Sequence, residues 1–195
     1  VTLYDVASVV VGAIGRVFFR LRVIGKENVP RDGGLIVACN HVSNFDPPLL
    51  GVSVPRPVSY MAKKELFAIP VLGWLIAHLN AYSVDRQAGG TAALRASLRM
   101  LKEGRCVGVF PEGGRNVTGD REVKGGAAFL AAASGVPVVP AAIVGTRRLR
   151  PFHQVTVAFG PPIRIERNRQ ADGDDLEKGA EEIMQRIHEL EESVR

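Results

Sequence analysis

Short apolar runs that alternate with helical stretches limit the fold of this chain more than any other feature. Leu21 to Ile24, Leu35 to Cys39, Val58 to Met61, Ala81 to Val84, Cys106 to Phe110, Val136 to Val144 and Gln154 to Phe159 read as strands. Leu35 to Cys39 and Cys106 to Phe110 carry no polar alternation, which is the pattern of strands covered on both faces. Helical segments lie between the runs. Pro47 and Pro48 suit a first helical turn, and Gly90 to Glu103 places Leu94, Leu98 and Leu101 on one face and arginines on the other. Gly126 to Ser134 is a helix of small residues, Leu176 to Leu190 is a terminal helix, and Leu66 to Leu79 is an apolar helical stretch interrupted by Pro70 and Gly73. Strand–helix alternation predicts an α/β fold, a single domain with a largely parallel or mixed sheet flanked by helices. A length of 195 residues and 46% hydrophobic content supply the core for it.

The amino-terminal stretch behaves differently. Leu3, Val6, Val10, Ile14, Val17 and Leu21 recur at helical spacing, with Asp5, Arg16 and Arg20 opposite. Its longest uncharged run, Val6 to Gly15, is well short of the roughly 20 residues a spanning helix needs, and it lacks the features of a signal peptide. A helix packed on the protein's own core fits the periodicity. Phe18 and Phe19 beside Arg16, Arg20, Arg22 and Lys26 favour an amphipathic, membrane-associating helix over residues 1–20, on the cytoplasmic face of the cell membrane as a peripheral or monotopic attachment.

Net charge is +5, but Asp174 to Arg195 holds eight acids against three bases, which leaves residues 1–173 at +10. A basic body suits anionic lipid or a phosphorylated ligand. The interleaved aromatic and basic clusters of nucleic-acid binding are absent, so no nucleic-acid partner is expected. The two cysteines, Cys39 and Cys106, fit packed apolar runs in a reducing compartment. No C-x-x-C occurs and the four histidines are scattered, so no metal site is expected.

Two segments carry candidate chemistry. In Asn40-His41-Val42-Ser43-Asn44-Phe45-Asp46, His41 is a candidate base and Asp46, five positions on, a carboxylate able to fix its tautomer. Asn, Ser and Asp also serve as caps and turns. In Phe110-Pro111-Glu112-Gly113-Gly114-Arg115, the glycines allow backbone to approach a ligand and Arg115 offers a guanidinium fork for phosphate. An ordinary glycine turn with a solvated arginine has the same composition. Loops at strand ends of one α/β sheet converge on one edge, so both segments can face a common cleft.

Together these blocks resemble the 1-acylglycerol-3-phosphate O-acyltransferases of the glycerolipid acyltransferase superfamily. The resemblance rests on N-H-x-x-x-x-D at Asn40, His41 and Asp46, on Tyr82-Ser83-Val84-Asp85-Arg86, on Phe110 to Arg115 and on Val136 to Pro140. It spans roughly residues 20 to 165, and the ordered set is far more specific than any single block. Gly114 stands where the family usually has threonine, and Asn116 where it has serine. The resemblance implies an acyltransferase domain over 21–195, with His41 and Asp46 as a catalytic dyad. It also implies that Arg86, Glu112, Gly113, Gly114 and Arg115 bind the acceptor. The expected partners are a lysophospholipid acceptor, acyl-CoA or acyl carrier protein as co-substrate, and a membrane surface, with no cofactor. Another lysolipid acceptor, or a catalytically silent lipid-binding module, would keep the same fold. Ser53, in an incomplete nucleophile elbow, reads as a surface or helix residue, and Cys39 as packing.

Overall fold

The computed structural model describes residues 3–78, 80–84, 91–120, 122–148, 150–166 and 173–195. The chain begins with helix α1 (Leu3–Phe18), then strand β1 (Arg22–Ile24), a 3-10 turn (Lys26–Asn28), β2 (Leu35–Cys39), α2 (Asp46–Ser53) and β3 (Val58–Lys63). Next come α3 (Lys64–Phe67), α4 (Pro70–His78), β4 (Ala81–Val84), α5 (Thr91–Lys102) and β5 (Cys106–Val109). The remaining elements are α6 (Gly126–Ser134), β6 (Val138–Val144), β7 (Thr156–Phe159) and α7 (Gly173–Ser193). The strands form one sheet in the order β1-β7-β6-β2-β5-β3-β4. Every neighbouring pair is parallel except β6 and β7, so the sheet is mixed, as the alternation predicts.

The central strand β2 is flanked by β5 and β6 and is buried along its whole length. Its side chains divide between two cores. Leu35, Val37 and Cys39 join Leu49 and Leu50 of α2 on one face, while Ile36 and Ala38 join Leu130 of α6 and Ile183 and Ile187 of α7 on the other. Each such Leu or Ile contributes about 1.5–3 kcal/mol by leaving water. In α7 the residues Ala180, Ile183, Met184 and Ile187 make the helical stripe that faces the sheet. Two positions demand glycine for close approach: a Cβ on Gly108 would sit 2.2 Å from the Tyr60 ring, and one on Gly34 would sit 2.4 Å from the Leu101 carbonyl oxygen.

Several sequence expectations change in detail. The stretch Leu66 to Leu79 breaks at Pro70 as expected, α3 ending at Phe67 and α4 starting at Pro70, where proline lacks the amide that would continue the earlier helix, but Gly73 lies inside α4 and does not interrupt it. Leu79 lies outside the described residues. Of the two readings for Ser53, the helix one holds: it lies in α2, buried, donating to the Leu49 carbonyl at 2.7 Å. Beyond the strands, Ile163 forms an isolated antiparallel bridge to Val138.

Helix α1 forms as expected, and of the two orientations its periodicity allows, it does not turn its apolar ridge onto the protein's own core. It meets the domain through Gly15, which is buried, as is Gly12, and a Cβ on Gly15 would come within 3.2 Å of Leu21 and 3.4 Å of Leu49. The apolar ridge of Val6, Val10, Ile14 and Val17, joined by Val9, points outward, with Val9 70% exposed. Small residues let the two helices approach, and the large ones are left to the solvent side. Among the described residues no helix is long and apolar enough to cross a membrane.

Candidate active site

The parallel strands β2, β5 and β6 end together, and the turns that follow them build the site. Asn40, directly after β2, is 2% exposed and acts as one more rung of the sheet. Its side-chain carbonyl accepts the Ile143 amide at 2.8 Å, and its Nδ2 donates to the Ile143 carbonyl at 3.0 Å and to Glu191 Oε1 at 2.7 Å. Because both ends of the carboxamide are bonded, the residue that follows starts from a fixed position.

His41 is that residue. Its backbone N–H donates to Glu112 Oε2 at 2.6 Å, and its carbonyl accepts the Asn116 amide at 2.6 Å. The chain then curls so that Asp46 Oδ2 receives His41 Nδ1 at 2.9 Å, the Val42 amide at 2.7 Å and the Ser43 amide at 2.6 Å. Asp46 is completely buried while the His41 side chain keeps 14% exposure. Three donors converge on this one oxygen at the first turn of α2 and fix the carboxylate in place. With Nδ1 committed to Asp46, Nε2 is the nitrogen left to exchange a proton.

The imidazole is also held from its face. Phe110 stacks on it with ring centroids 4.3 Å apart and 27° between planes, and Tyr60 of β3 lies 6.1 Å beyond Phe110 at 17°. The absent Cβ of Gly108 is what admits Tyr60. Periodicity gives no hint of this aromatic column, since Tyr60 and Phe110 are 50 positions apart.

The loop after β5 divides its residues between support and exposure. Glu112 is 5% exposed, with Oε2 on the His41 amide and Oε1 accepting from Asn116 Nδ2 at 3.1 Å. Burial pushes its carboxyl up from the ordinary value, and the bonds from His41 and Asn116 partly offset this. The resemblance implies an acceptor contact for Glu112; within the chain both of its oxygens also accept hydrogen bonds that brace His41 and Asn116. Gly113 adopts a left-handed φ of 64°, and a Cβ there would come 2.7 Å from the Lys124 side chain. Its amide donates to the Phe110 carbonyl at 2.9 Å, closing a tight turn in the loop. Gly114 is half-buried and Arg115 is exposed in the same loop as Glu112. Arg86 lies outside the described residues. Cys39 is fully buried beside the Asn40 carbonyl, and burial holds its thiol well above the ordinary range, which suits packing and not nucleophilic attack.

A mixed α/β sheet whose strand-end turns bring a carboxylate-paired histidine next to a glycine-rich loop belongs to the α/β enzymes. The acyltransferase family model matches residues 20–144. The 1-acyl-sn-glycerol-3-phosphate acyltransferase of Bacillus subtilis is 35% identical over 184 residues, which are 89% of each chain. That of Streptococcus pneumoniae is 29% identical over 175 residues, 87% of this chain and 65% of the relative. The crystal structure of the 1-acyl-sn-glycerophosphate acyltransferase of Thermotoga maritima superposes with a TM-score of 0.76 at 30% identity, over 97% of this chain and 80% of that one. The chain therefore belongs to the acyltransferase family, among the 1-acyl-sn-glycerol-3-phosphate acyltransferases.

Proposed function

We propose that the protein transfers a fatty acyl group from acyl-CoA or acyl carrier protein to the 2-position hydroxyl of 1-acylglycerol-3-phosphate, forming phosphatidic acid. The observation that carries this reading is the pairing of His41 Nδ1 with the buried Asp46 carboxylate at 2.9 Å. Nε2 of His41 takes the acceptor's hydroxyl proton as the oxygen attacks the thioester carbonyl carbon. Asp46 stabilises the imidazolium that forms. Collapse of the tetrahedral intermediate breaks the C–S bond, and the imidazolium returns the proton to the departing thiolate. Arg115, together with Arg86, is the proposed clamp for the acceptor's phosphate, placing the hydroxyl by binding energy remote from the reacting atoms. The thioester itself is the activated group, so this scheme needs no cofactor.

The reading extends to the cytoplasmic face of the membrane. Val6, Val9, Val10, Val17 and Phe18 are exposed on α1, and Phe152, 66% exposed, stacks against Phe18 at 6.3 Å. Arg148 and Arg150 are exposed in the same loop as Phe152. Apolar side chains beside cations support interfacial attachment to anionic lipid. Leu66, Ile69 and Trp74, exposed around α3 and α4, are the proposed neighbours of an acyl chain. The test is transfer of a radiolabelled acyl group from each donor to a panel of lysolipids on vesicles. Preferential labelling of 1-acylglycerol-3-phosphate is expected; labelling of a different lysolipid in its place, or of none, refutes the assignment.

A further inference from the structure

The family model ends at residue 144, yet the helix that closes the chain reaches back to the site. Glu191, in the last turn of α7, is 151 positions from Asn40 and accepts its Nδ2 at 2.7 Å. Asn40 is at the same time bonded twice to Ile143 and carries His41 as its next residue. Around Glu191 is a cavity of about 230 Å³, bordered by Asn40, Glu112, Asn116, Arg147 and His188. Its border includes Asn40 and Val42, the residues on either side of His41, together with His188 and Glu191 of α7, whereas Asp46 holds the imidazole from α2. We infer that Glu191 is a positioning residue for acyl transfer: by fixing the Asn40 carboxamide it fixes the turn from which His41 is presented.

Three observations support this. Helix α7 is already anchored by Ile183, Met184 and Ile187, so its packing does not call for a carboxylate here. The Glu191 carboxyl is shifted up by burial, with Arg195, His188 and Arg147 opposing the shift, so its placement carries a desolvation cost. Nδ2 of Asn40 has two protons, and Ile143 takes one; without Glu191 the other would be left as a donor in a buried setting. The carboxamide would then rest on its two Ile143 bonds alone, and the turn that presents His41 would lose its tie to α7. The Glu112 carboxylate supports the same residue from the other loop, through the His41 amide.

The inference rests on the acyl-transfer reading, and the test separates the two. Glu191→Gln keeps the reach and an acceptor oxygen but loses the charge. Glu191→Asp keeps the charge but shortens the side chain by one C–C bond, out of reach of Asn40. In the lysolipid assay, Glu191→Asp should lower kcat by about 10- to 100-fold, as a small misplacement of a base does. Acceptor KM should change less than about twofold, because the phosphate contacts are untouched. Glu191→Gln should stay within about threefold of the parent, and Glu191→Asp should cost nothing further in an Asn40→Ser background. Normal turnover of Glu191→Asp, a Gln variant as slow as the Asp variant, or losses that multiply in the double variant would each overturn the inference while the parent still transfers acyl groups. A parent without acyl transfer overturns the functional reading, and this inference with it.

Discussion

Asp46→Asn tests the site at its most constrained atom. Oδ2 of Asp46 accepts from His41 Nδ1, the Val42 amide and the Ser43 amide, whereas the buried Oδ1 has no hydrogen-bond partner among the described residues. An asparagine that places its oxygen at the Oδ2 position preserves all three acceptor contacts but puts an NH₂ group where no acceptor waits. The reversed rotamer sets the NH₂ against three donors, which is worse. The preferred arrangement therefore leaves a buried donor unsatisfied, at about 1–3 kcal/mol, and turns charge-assisted bonds into neutral ones. Melting temperature should fall while the fold survives. Turnover should fall further than stability, since the imidazolium formed in the transition state loses its counter-charge. A loss of about 10²- to 10⁴-fold, or roughly 3–5 kcal/mol of barrier, is expected. The assay is initial rate at saturating donor and acceptor, paired with a thermal melt. A folded Asp46→Asn protein that turns over within about tenfold of the parent would refute the reasoning, because general-base catalysis supported by the carboxylate could not be contributing its usual share.

Three other perturbations address different parts of the site. Gly108→Ala would drive a methyl group to 2.2 Å from Tyr60 Cε1, with Gly51 of α2 bordering the opposite edge of that ring; the cost should be about 1–3 kcal/mol in denaturant unfolding, with reduced kcat as Phe110 shifts on His41. Arg115→Ala should raise the acceptor KM by about tenfold or more and leave the donor KM unchanged, as loss of a charge-assisted phosphate contact requires; a change in the donor KM alone would move Arg115 to the donor site. The raised Glu191 carboxyl contributes stability that is complete below the ordinary carboxylate value and is lost as pH rises through its folded value, because burial penalises the charged form. Melting of Glu191→Gln relative to the parent should therefore improve from about pH 4 to about pH 7, and a difference that stays flat across that range would contradict the burial argument.

The residues that carry local signals were legible, and those that act across the sheet were not. Leu35 to Cys39 and Cys106 to Phe110 declare themselves as two-sided strands by unbroken apolarity, and they pair as parallel neighbours in the sheet. His41 and Asp46 are close enough in sequence for one turn to join them, so their spacing is informative by itself. Helix α1 was legible as a helix, and its periodicity alone allowed either an inward or an outward apolar face. The small face at Gly15 that docks on Leu49 of α2 carries no hydrophobic signal. Glu191 illustrates the limit most clearly. Glu189 and Glu192 stand beside it in an acidic run, and only the folded path of α7 across β6 selects one of the three to meet Asn40. The motif supplies the reacting groups, while their rigidity comes from bonds that no local pattern records. His41 is held by Asp46 from the α2 face, by Phe110 against its ring, and by Glu112 at its amide. The preceding residue is held by Ile143 and Glu191. Catalytic geometry of this kind tolerates errors well under 1 Å, so a site assembled from both faces of the sheet ties its activity to the packing of α7, a helix that contains none of its motifs.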